Sequence, residues 1–249
     1  MSKLDLIKDL ILVGLAYGYV FLTIFIPMFL KKRDKITKFQ ARKTVHLLAG
    51  LVVLIVPFFQ WPYWSIVIAG TVTTLTYFSS KDSKVKSLKE LYEAIGEDAE
   101  EKVGYLQGPF HYCLSVTLLI TLFAIFAPNQ FYFPISGILI MIISDTLASV
   151  IGKEYGKREI NLSWTNTTRT LEGSLTFFIS AFALCFFSFY FFGLVNPLNQ
   201  KCLAIETILL YALVTSALAT GIELVSPSTW DDLTVPIATT LIIFLLTLI

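Results

Sequence analysis

Carboxylates in unusually apolar surroundings are the residues of this sequence that could do chemistry. Asp145 lies late in one apolar run, Glu172 begins the next, and Glu223 ends the one after that. A charge at mid-membrane costs about 2.5–3.5 kcal/mol on insertion scales, so such residues usually face a cavity or a partner. Mg²⁺ takes one or two carboxylates and completes its coordination with water and substrate phosphates. The acids therefore indicate either a magnesium site or ion pairs that hold helix ends together.

The elements that carry these acids are predicted transmembrane helices. Of the 249 residues, 55% are hydrophobic and 15% are charged, and the mean hydropathy is +0.73. This composition is typical of an integral membrane protein. We expect an all-α, polytopic membrane helix bundle of about eight transmembrane helices, with seven possible, as a single domain over residues 1–249. The apolar runs, most of them close to the roughly 20 residues that cross a bilayer, are 4–30, 44–58, 63–79, 109–127, 131–151, 171–194, 202–224 and 233–249.

The positions of lysine and arginine predict how the helices are oriented, because positive charge in short loops resists translocation. With the N-terminus outside, only Lys3, Lys8 and Lys201 of the 19 basic residues lie outside, which leaves 16 in the inner loops. The motif loops and the candidate active site are then cytoplasmic, and Glu206 alone of the inspected acids is on the outer side. The acids that collect at the inner face are Asp145, Glu172, Glu223, Asp231 and Asp232.

The largest loop, residues 81–107, is predicted to contain an amphipathic cytoplasmic helix. Apolar residues recur in it at helical spacing between charged ones. Such a helix could lie on the inner membrane surface or pack over the mouth of the bundle, and the sequence favours neither. The apolar positions are Val85, Leu88, Leu91, Ile95, Ala99 and Val103.

The stretch "IISDTLASVIGKEYGK" contains a ridge of small residues. Ser144, Ala148, Gly152 and Gly156 recur every four residues, which places them on one side of a helix. Such ridges commonly let two transmembrane helices pack closely. The same ridge could let a nucleotide approach the backbone, so the pattern has two interpretations.

Basic residues begin the second predicted span, in "ARKTVHLLAG". Arg42 and Lys43 could simply anchor the helix to lipid headgroups. Arg42 and His46 are four residues apart and therefore share a helix face. His46 could satisfy a buried carboxylate, or contact phosphate or a substrate hydroxyl.

Four segments in order resemble one known family, the CTP-dependent lipid-alcohol kinases, which include dolichol kinase, phytol and farnesol kinases and the yeast-type diacylglycerol kinase. The segments are "RKTVH" with Gly50, "SDTLASVIGKEYGK", "RTLEGS", and "ELVSP" followed by "DDLTVP". Two positions depart from the family pattern. Arg169 replaces the usual lysine, which keeps the charge but changes phosphate geometry, and Asp232 replaces an amide.

The resemblance implies transfer of the γ-phosphoryl group of CTP to the hydroxyl of a membrane lipid alcohol, with Mg²⁺. It implies no nucleic-acid partner. General-base assistance could come from Asp145, His46 or Glu223. The implied catalytic residues are Asp145, Arg42, Lys43 and His46. The implied metal ligands are Asp145, Glu172, Glu223 and Asp231. The implied nucleotide-binding residues are Ser149, Gly152, Lys153, Gly156, Lys157, Arg169, Glu172, Gly173 and Ser174.

Two other functions use the same kinds of residues. A CDP-lipid synthase would also need CTP, Mg²⁺ and acids at the inner face, but it would release pyrophosphate. An ion-coupled transporter would use intramembrane acids to bind ions or protons, although transporters often have repeated halves and no repeat is visible here. The sequence does not choose among polyprenol, shorter isoprenoid alcohols and diacylglycerol, nor does it give an oligomeric state.

Overall fold

The computed structural model describes residues 2–96, 100, 102–165, 168–227 and 230–248. The chain forms two compact units, Met1–Thr121 and Leu122–Ile249. Almost all of the regular structure is helical, as the hydropathy pattern predicts. The expectation of a single domain over the whole chain stays a prediction.

The first unit consists of helices, of which the first two begin at capping boxes. In order they are α1 (Lys3–Lys32), α2 (Lys38–Gly50) continued by a 3₁₀ helix (Leu51–Phe58), α3 (Tyr63–Phe78), α4 (Lys86–Ile95) and the first part of α5 (Gln107–Phe126). Ser2 and Asp5 form a capping box on α1, and Thr37 and Gln40 form one on α2. Each box satisfies backbone donors that a helix start leaves without partners.

Helix α4 packs against the helices of its own unit. Leu91 and Ile95 are buried in a cluster with Ala41 of α2 and Leu106, which matches the apolar spacing of the predicted amphipathic helix. The helix ends at Ile95, and so the spacing does not continue as a helix to the C-terminal end of the loop. Val85 and Val103 are exposed, and Ala99 lies outside the described residues.

Asp9 is a buried carboxylate that no sequence pattern singles out. It lies two turns into α1, and no part of it is exposed to solvent. Its two oxygens accept hydrogen bonds from the backbone N–H groups of Gln60 and Trp61, each at 2.9 Å. These donors belong to the turn between the 3₁₀ helix and α3, so Asp9 fixes that turn to α1.

The second unit has long helices with two π-helical turns. It contains the end of α5, α6 (Tyr132–Leu139), a π turn (Ile140–Ser144), α7 (Asp145–Tyr155), β1 (Glu159–Asn161), β2 (Thr168–Thr170), α8 (Leu171–Tyr190), a second π turn (Phe191–Val195), α9 (Ile205–Val225) and α10 (Asp231–Leu246). Phe133 lies at the centre of its core and contacts the rings of Phe123, Phe189, Tyr211 and Phe244.

Among the described residues, six helices are long and apolar enough to cross a membrane, which makes this a multi-pass membrane protein. They are Lys3–Lys32, Lys38–Phe58, Gln107–Phe126, Tyr132–Tyr155, Leu171–Val195 and Ile205–Val225. The other two predicted spans are helices of 16 residues, α3 and α10. At 1.5 Å per residue each is about 24 Å long, shorter than the roughly 30 Å hydrocarbon core. The count of eight spans and the orientation stay predictions.

Replacing Asp9 with alanine is expected to destabilise the protein by about 2–4 kcal/mol, because two backbone donors lose the buried, charged acceptor that they share. Thermal unfolding of the purified protein in detergent measures the change. Asp5→Ala, at the start of the same helix, is the matched control and is expected to cost much less, because its capping hydrogen bonds are exposed to solvent. Equal stability of the Asp9 and Asp5 variants would contradict this role for Asp9.

Candidate functional site

A short hairpin between α7 and α8 brings Arg169 to the candidate site. Strands β1 and β2 pair antiparallel, with Ile160 opposite Arg169, and the connection is closed where the backbone N–H of Leu171 donates to the carbonyl of Arg158 at 2.9 Å. Helix α8 follows β2 directly, with Thr170 as its N-cap. Arg169 is therefore held by strand pairing on one side and by a helix start on the other.

Arg169 forms a buried ion pair with Glu223 in the last turn of α9. The guanidinium Nε donates to Glu223 Oε1, and the two side chains are only 11% and 10% exposed. Its Nη1 also donates to the carbonyls of Ser226 at 2.9 Å and Leu224 at 3.4 Å. Arg169 thus both neutralises an acid and caps the C-terminal end of α9, where orphan carbonyls need donors.

Two further acids lie beside this pair. Nη2 of Arg169 is 3.9 Å from Asp231 Oδ2, and Asp145 is close enough for its charge to act on both Glu223 and Asp231. Burial raises the pKa of Asp231 above its ordinary value, and repulsion by Asp145 and Asp232 adds to the rise. Such a group of acids gains stability from a cation or a proton, since like charges disfavour full ionisation.

A second sign of incomplete neutralisation is on Glu223 itself. Its Oε2 atom is buried, and no hydrogen-bond donor reaches it from the residues that the structure describes. Ser144 directly precedes Asp145 and is fully buried. Its hydroxyl likewise has no hydrogen-bond partner among the residues that the structure describes. Ser144 ends the π turn Ile140–Ser144, and π turns often occur at functional sites. Nothing in the hydropathy of this run predicts the π turn.

Glu172 contacts a different part of the unit. Its Oε2 accepts hydrogen bonds from the backbone N–H groups of Lys157 at 3.1 Å and Arg158 at 3.4 Å. This carboxylate thus ties the residues that precede β1 to the start of α8. The structure thus gives Glu172 a positioning contact, while its place among the metal ligands stays a prediction.

The small-residue ridge of α7 faces the start of α8. A Cβ atom on Gly152 would lie 2.9 Å from Thr170 Oγ1, and one on Gly173 would lie 3.1 Å from the carbonyl of Ala148. A side chain on Gly156 would overlap Thr170. These approaches are those of two closely packed helices, the first of the two interpretations of the ridge. Nucleotide binding by Gly152, Gly156 and Gly173 stays a prediction.

The remaining predicted nucleotide-binding residues have different exposures. Ser174 is buried in α8, and Ser149 is half-buried on α7. Lys153 and Lys157 are exposed near the end of α7.

Arg42, Lys43 and His46 lie on α2, in the first unit. Arg42 Nη1 donates to Glu100 Oε2 at 2.9 Å, and Glu100 Oε1 accepts from the backbone N–H of Gly108 at 2.8 Å. Glu100 is 5% exposed, so this is a buried ion pair that sequence reasoning missed. A buried arginine requires a paired acid, but the sequence offers several acids in that loop.

His46 packs against Tyr112 of α5. The ring centroids are 4.5 Å apart, and the hydroxyl of Tyr112 donates to the backbone carbonyl of His46 at 3.3 Å. Lys43 is half-buried. The catalytic roles of Arg42, Lys43 and His46 stay predictions.

Mg²⁺ would find a partial ligand set in the second unit. The described residues contain no group of three or more His, Cys, Asp or Glu side chains that could hold a metal ion by themselves. The charges of Asp145 and Asp231 nevertheless act on one another, and Mg²⁺ commonly uses one or two carboxylates with phosphates and water. Glu223 is engaged by Arg169, and the assignment of Asp145 and Asp231 as magnesium ligands stays a prediction.

Comparison with known proteins gives relatives with a common activity. The chain is 30% identical to dolichol kinase of Saccharomyces cerevisiae over 167 residues, 64% of this chain and 29% of that protein. It is 26% identical to probable phytol kinase 2 of Glycine max over 220 residues, which cover 87% and 68% of the two chains. It is 29% identical to phytol kinase of Synechocystis over 238 residues, which cover 93% and 90%. The chain thus spans less than a third of the yeast protein but most of the cyanobacterial one.

No protein-family model matches the chain, and no solved structure matches it. The homologues that were found are lipid-alcohol kinases, and they resemble this chain at 24–30% identity.

Replacing Arg169 with alanine is expected to destabilise the protein by about 3–5 kcal/mol, since Glu223 would keep a buried charge without its partner. The double variant Arg169→Met with Glu223→Leu removes both charges and is expected to be more stable than Arg169→Ala. Chemical unfolding in detergent measures both.

The exposed pair Lys32–Glu90, 3.1 Å apart, supplies the control. Lys32→Ala is expected to cost about 1 kcal/mol or less, as exposed ion pairs do. If the double variant at 169 and 223 is no more stable than Arg169→Ala, the unpaired buried charge of Glu223 is not what destabilises the single variant.

Proposed function

We propose that this homologue of the lipid-alcohol kinases transfers the γ-phosphoryl group of CTP to the hydroxyl of a membrane lipid alcohol. The observation that carries the proposal is the similarity to phytol kinase of Synechocystis over 93% of this chain and 90% of that protein. The multi-pass membrane architecture supports it, since a lipid alcohol keeps its hydrocarbon in the bilayer. Its hydroxyl then lies near the headgroup plane, where the ends of membrane helices lie.

The buried charges of the second unit suit phosphoryl transfer, which depends mostly on positioning and electrostatic stabilisation. Asp145 and Asp231 would hold Mg²⁺, which when bound neutralises charge on the triphosphate. Arg169 holds Glu223 and the end of α9 in place through its Nε and Nη1 contacts. The exposed Lys153 and Lys157 would bind phosphate oxygens. Asp145 is thus the acid to which we assign the main metal contact.

The choice of CTP as the phosphoryl donor rests on the sequence resemblance. The segments "SDTLASVIGKEYGK" and "RTLEGS" contain no G-x-x-x-x-G-K-[ST] motif, which is the usual phosphate-binding loop of ATP-dependent enzymes. The lipid could be a polyprenol, a shorter isoprenoid alcohol or diacylglycerol. The similarity to a dolichol kinase and a phytol kinase favours an isoprenoid alcohol.

Incubation of the purified protein with γ-labelled CTP, Mg²⁺ and a panel of lipid alcohols tests the reaction. We expect label in the extracted lipid, because a kinase transfers the terminal phosphoryl group. Label found only in pyrophosphate would instead identify a CDP-lipid synthase. Replacing CTP by γ-labelled ATP in a parallel incubation tests the choice of donor, and equal labelling would overturn the preference for CTP.

Asp145→Asn is expected to lower lipid phosphorylation by about 100-fold or more, because loss of a preorganised charge at a reacting phosphate commonly has an effect of that size. Initial rates at several Mg²⁺ concentrations measure the loss, and thermal unfolding confirms that the variant is folded. Glu206→Gln, an exposed acid at the other end of α9, is the matched control and is expected to keep full activity. Full activity of the Asp145 variant would remove Asp145 from the site.

A further inference from the structure

The turn between α7 and β1 is joined to the start of α8 by three hydrogen bonds. Oε2 of Glu172 accepts from the backbone N–H groups of Lys157 and Arg158, at 3.1 and 3.4 Å. The backbone N–H of Leu171 donates to the carbonyl of Arg158 at 2.9 Å. Residues 157 and 158 are thus held by a side chain and by the backbone of the same helix start.

Gly156 restricts this turn where it leaves α7. Its backbone N–H donates to the carbonyl of Gly152 at 3.1 Å and ends the helix. A Cβ atom on Gly156 would overlap that carbonyl and would lie 2.9 Å from Cβ of Thr170. The turn therefore starts pressed against the cap of α8, and the hydrogen bonds to Glu172 fix the course of the next two residues.

Lys157 is the residue that this arrangement presents. Its side chain is exposed, and it forms no ion pair with the residues that the structure describes. Its backbone N–H, in contrast, is held by Glu172. A lysine with a fixed backbone suits phosphate binding, because less conformational freedom is lost when the phosphate binds.

Glu172 stands apart from the acids that Arg169 contacts. The charge of Asp145 acts on Glu223 and Asp231, and both of those acids lie within reach of Arg169. Among the described residues, the hydrogen bonds of the Glu172 carboxylate go to the turn at 157–158. Its contacts are thus those of a group that holds backbone.

We propose that Glu172 is a positioning residue, which holds the turn so that Lys157 is placed for the triphosphate, and that it does not hold Mg²⁺. The proposal rests on the proposed kinase function and gives Glu172 a different part in it from the metal ligation that the sequence resemblance implies. The reason is geometric: one carboxylate oxygen receives two consecutive backbone N–H groups. That contact requires an acceptor atom and no metal.

Two substitutions separate the two roles. Glu172→Ala removes the acceptor, whereas Glu172→Gln keeps an oxygen that accepts N–H groups and loses the negative charge of a metal-binding carboxylate. Glu172→Ala is expected to raise KM for CTP by about tenfold or more, the size expected when a hydrogen bond to a charged group is lost. We expect little change in kcat, as for a loss of binding alone, and Glu172→Gln should recover most of the loss.

Initial rates of the purified protein with a twenty-carbon isoprenoid alcohol measure these constants at several Mg²⁺ concentrations. The Mg²⁺ concentration that gives half-maximal rate should be the same in both variants and in the unsubstituted protein. If both variants lose activity equally and both require more Mg²⁺, Glu172 is a metal ligand and the proposal is wrong.

Glu206→Ala is the matched control. Glu206 is also an acid in the first turn of a long helix of the second unit, α9, and it is exposed. Its removal takes the same charge from a helix start and leaves the turn at 157–158 intact, so KM for CTP is expected to stay unchanged. An equal KM in Glu172→Ala and Glu206→Ala would overturn the proposal.

Hydrogen exchange gives a measurement that does not depend on activity. With EDTA present, so that no metal contributes, the amides of Lys157 and Arg158 should exchange faster in Glu172→Ala than in the unsubstituted protein. Glu172→Gln should restore slow exchange, and unchanged exchange in Glu172→Ala would overturn the proposal. If exchange responds as expected but the unsubstituted protein phosphorylates no alcohol, the proposed function fails while the hold of Glu172 on the turn stands.

Discussion

The guanidinium of Arg169 joins the ends of several elements in the second unit through one buried set of contacts. It lies on β2, pairs with Glu223, donates to the carbonyl of Ser226 beyond α9, and lies 3.9 Å from Asp231 at the start of α10. Arginine suits this position because its rigid plane offers several donors to different acceptors. A buried charge persists only where it is paired, so the arrangement of these helix ends depends on one side chain.

Close packing between α7 and α8 adds the other constraint on the same region. Gly152 and Gly173 leave no room for side chains at this contact, and Thr170 both occupies the space and caps α8 with its hydroxyl. Asp145 begins α7, and Arg169 immediately precedes Thr170. The contact between the two helices therefore helps to set the distance between Asp145 and Arg169. The glycines of the motif therefore matter to the site even where they contact no ligand.

Local patterns in the sequence predicted the helices well. Each of the eight apolar runs contains a helix whose ends agree within several residues, because hydropathy and capping act over short distances. The site was predicted less completely. Asp9 and Glu100 are buried carboxylates that lie 51 and 58 residues from their partners Gln60 and Arg42, and no local pattern specifies such pairs. Glu172 was expected among metal ligands, yet it accepts hydrogen bonds from Lys157 and Arg158, because a carboxylate at a helix start suits either use.

The sequence by itself determined that this is a helical, multi-pass membrane protein with acids and bases at the ends of apolar helices, and its ordered motifs indicated the relatives. These properties follow from the length and polarity of consecutive residues. Only the tertiary structure decided which acid meets which base: Arg169 pairs with Glu223, while Arg42 pairs with Glu100. It also decided that the ridge of α7 packs on α8. Those outcomes depend on how helices distant in sequence pack together, since buried charges and close contacts are satisfied only by the partners that packing brings within reach.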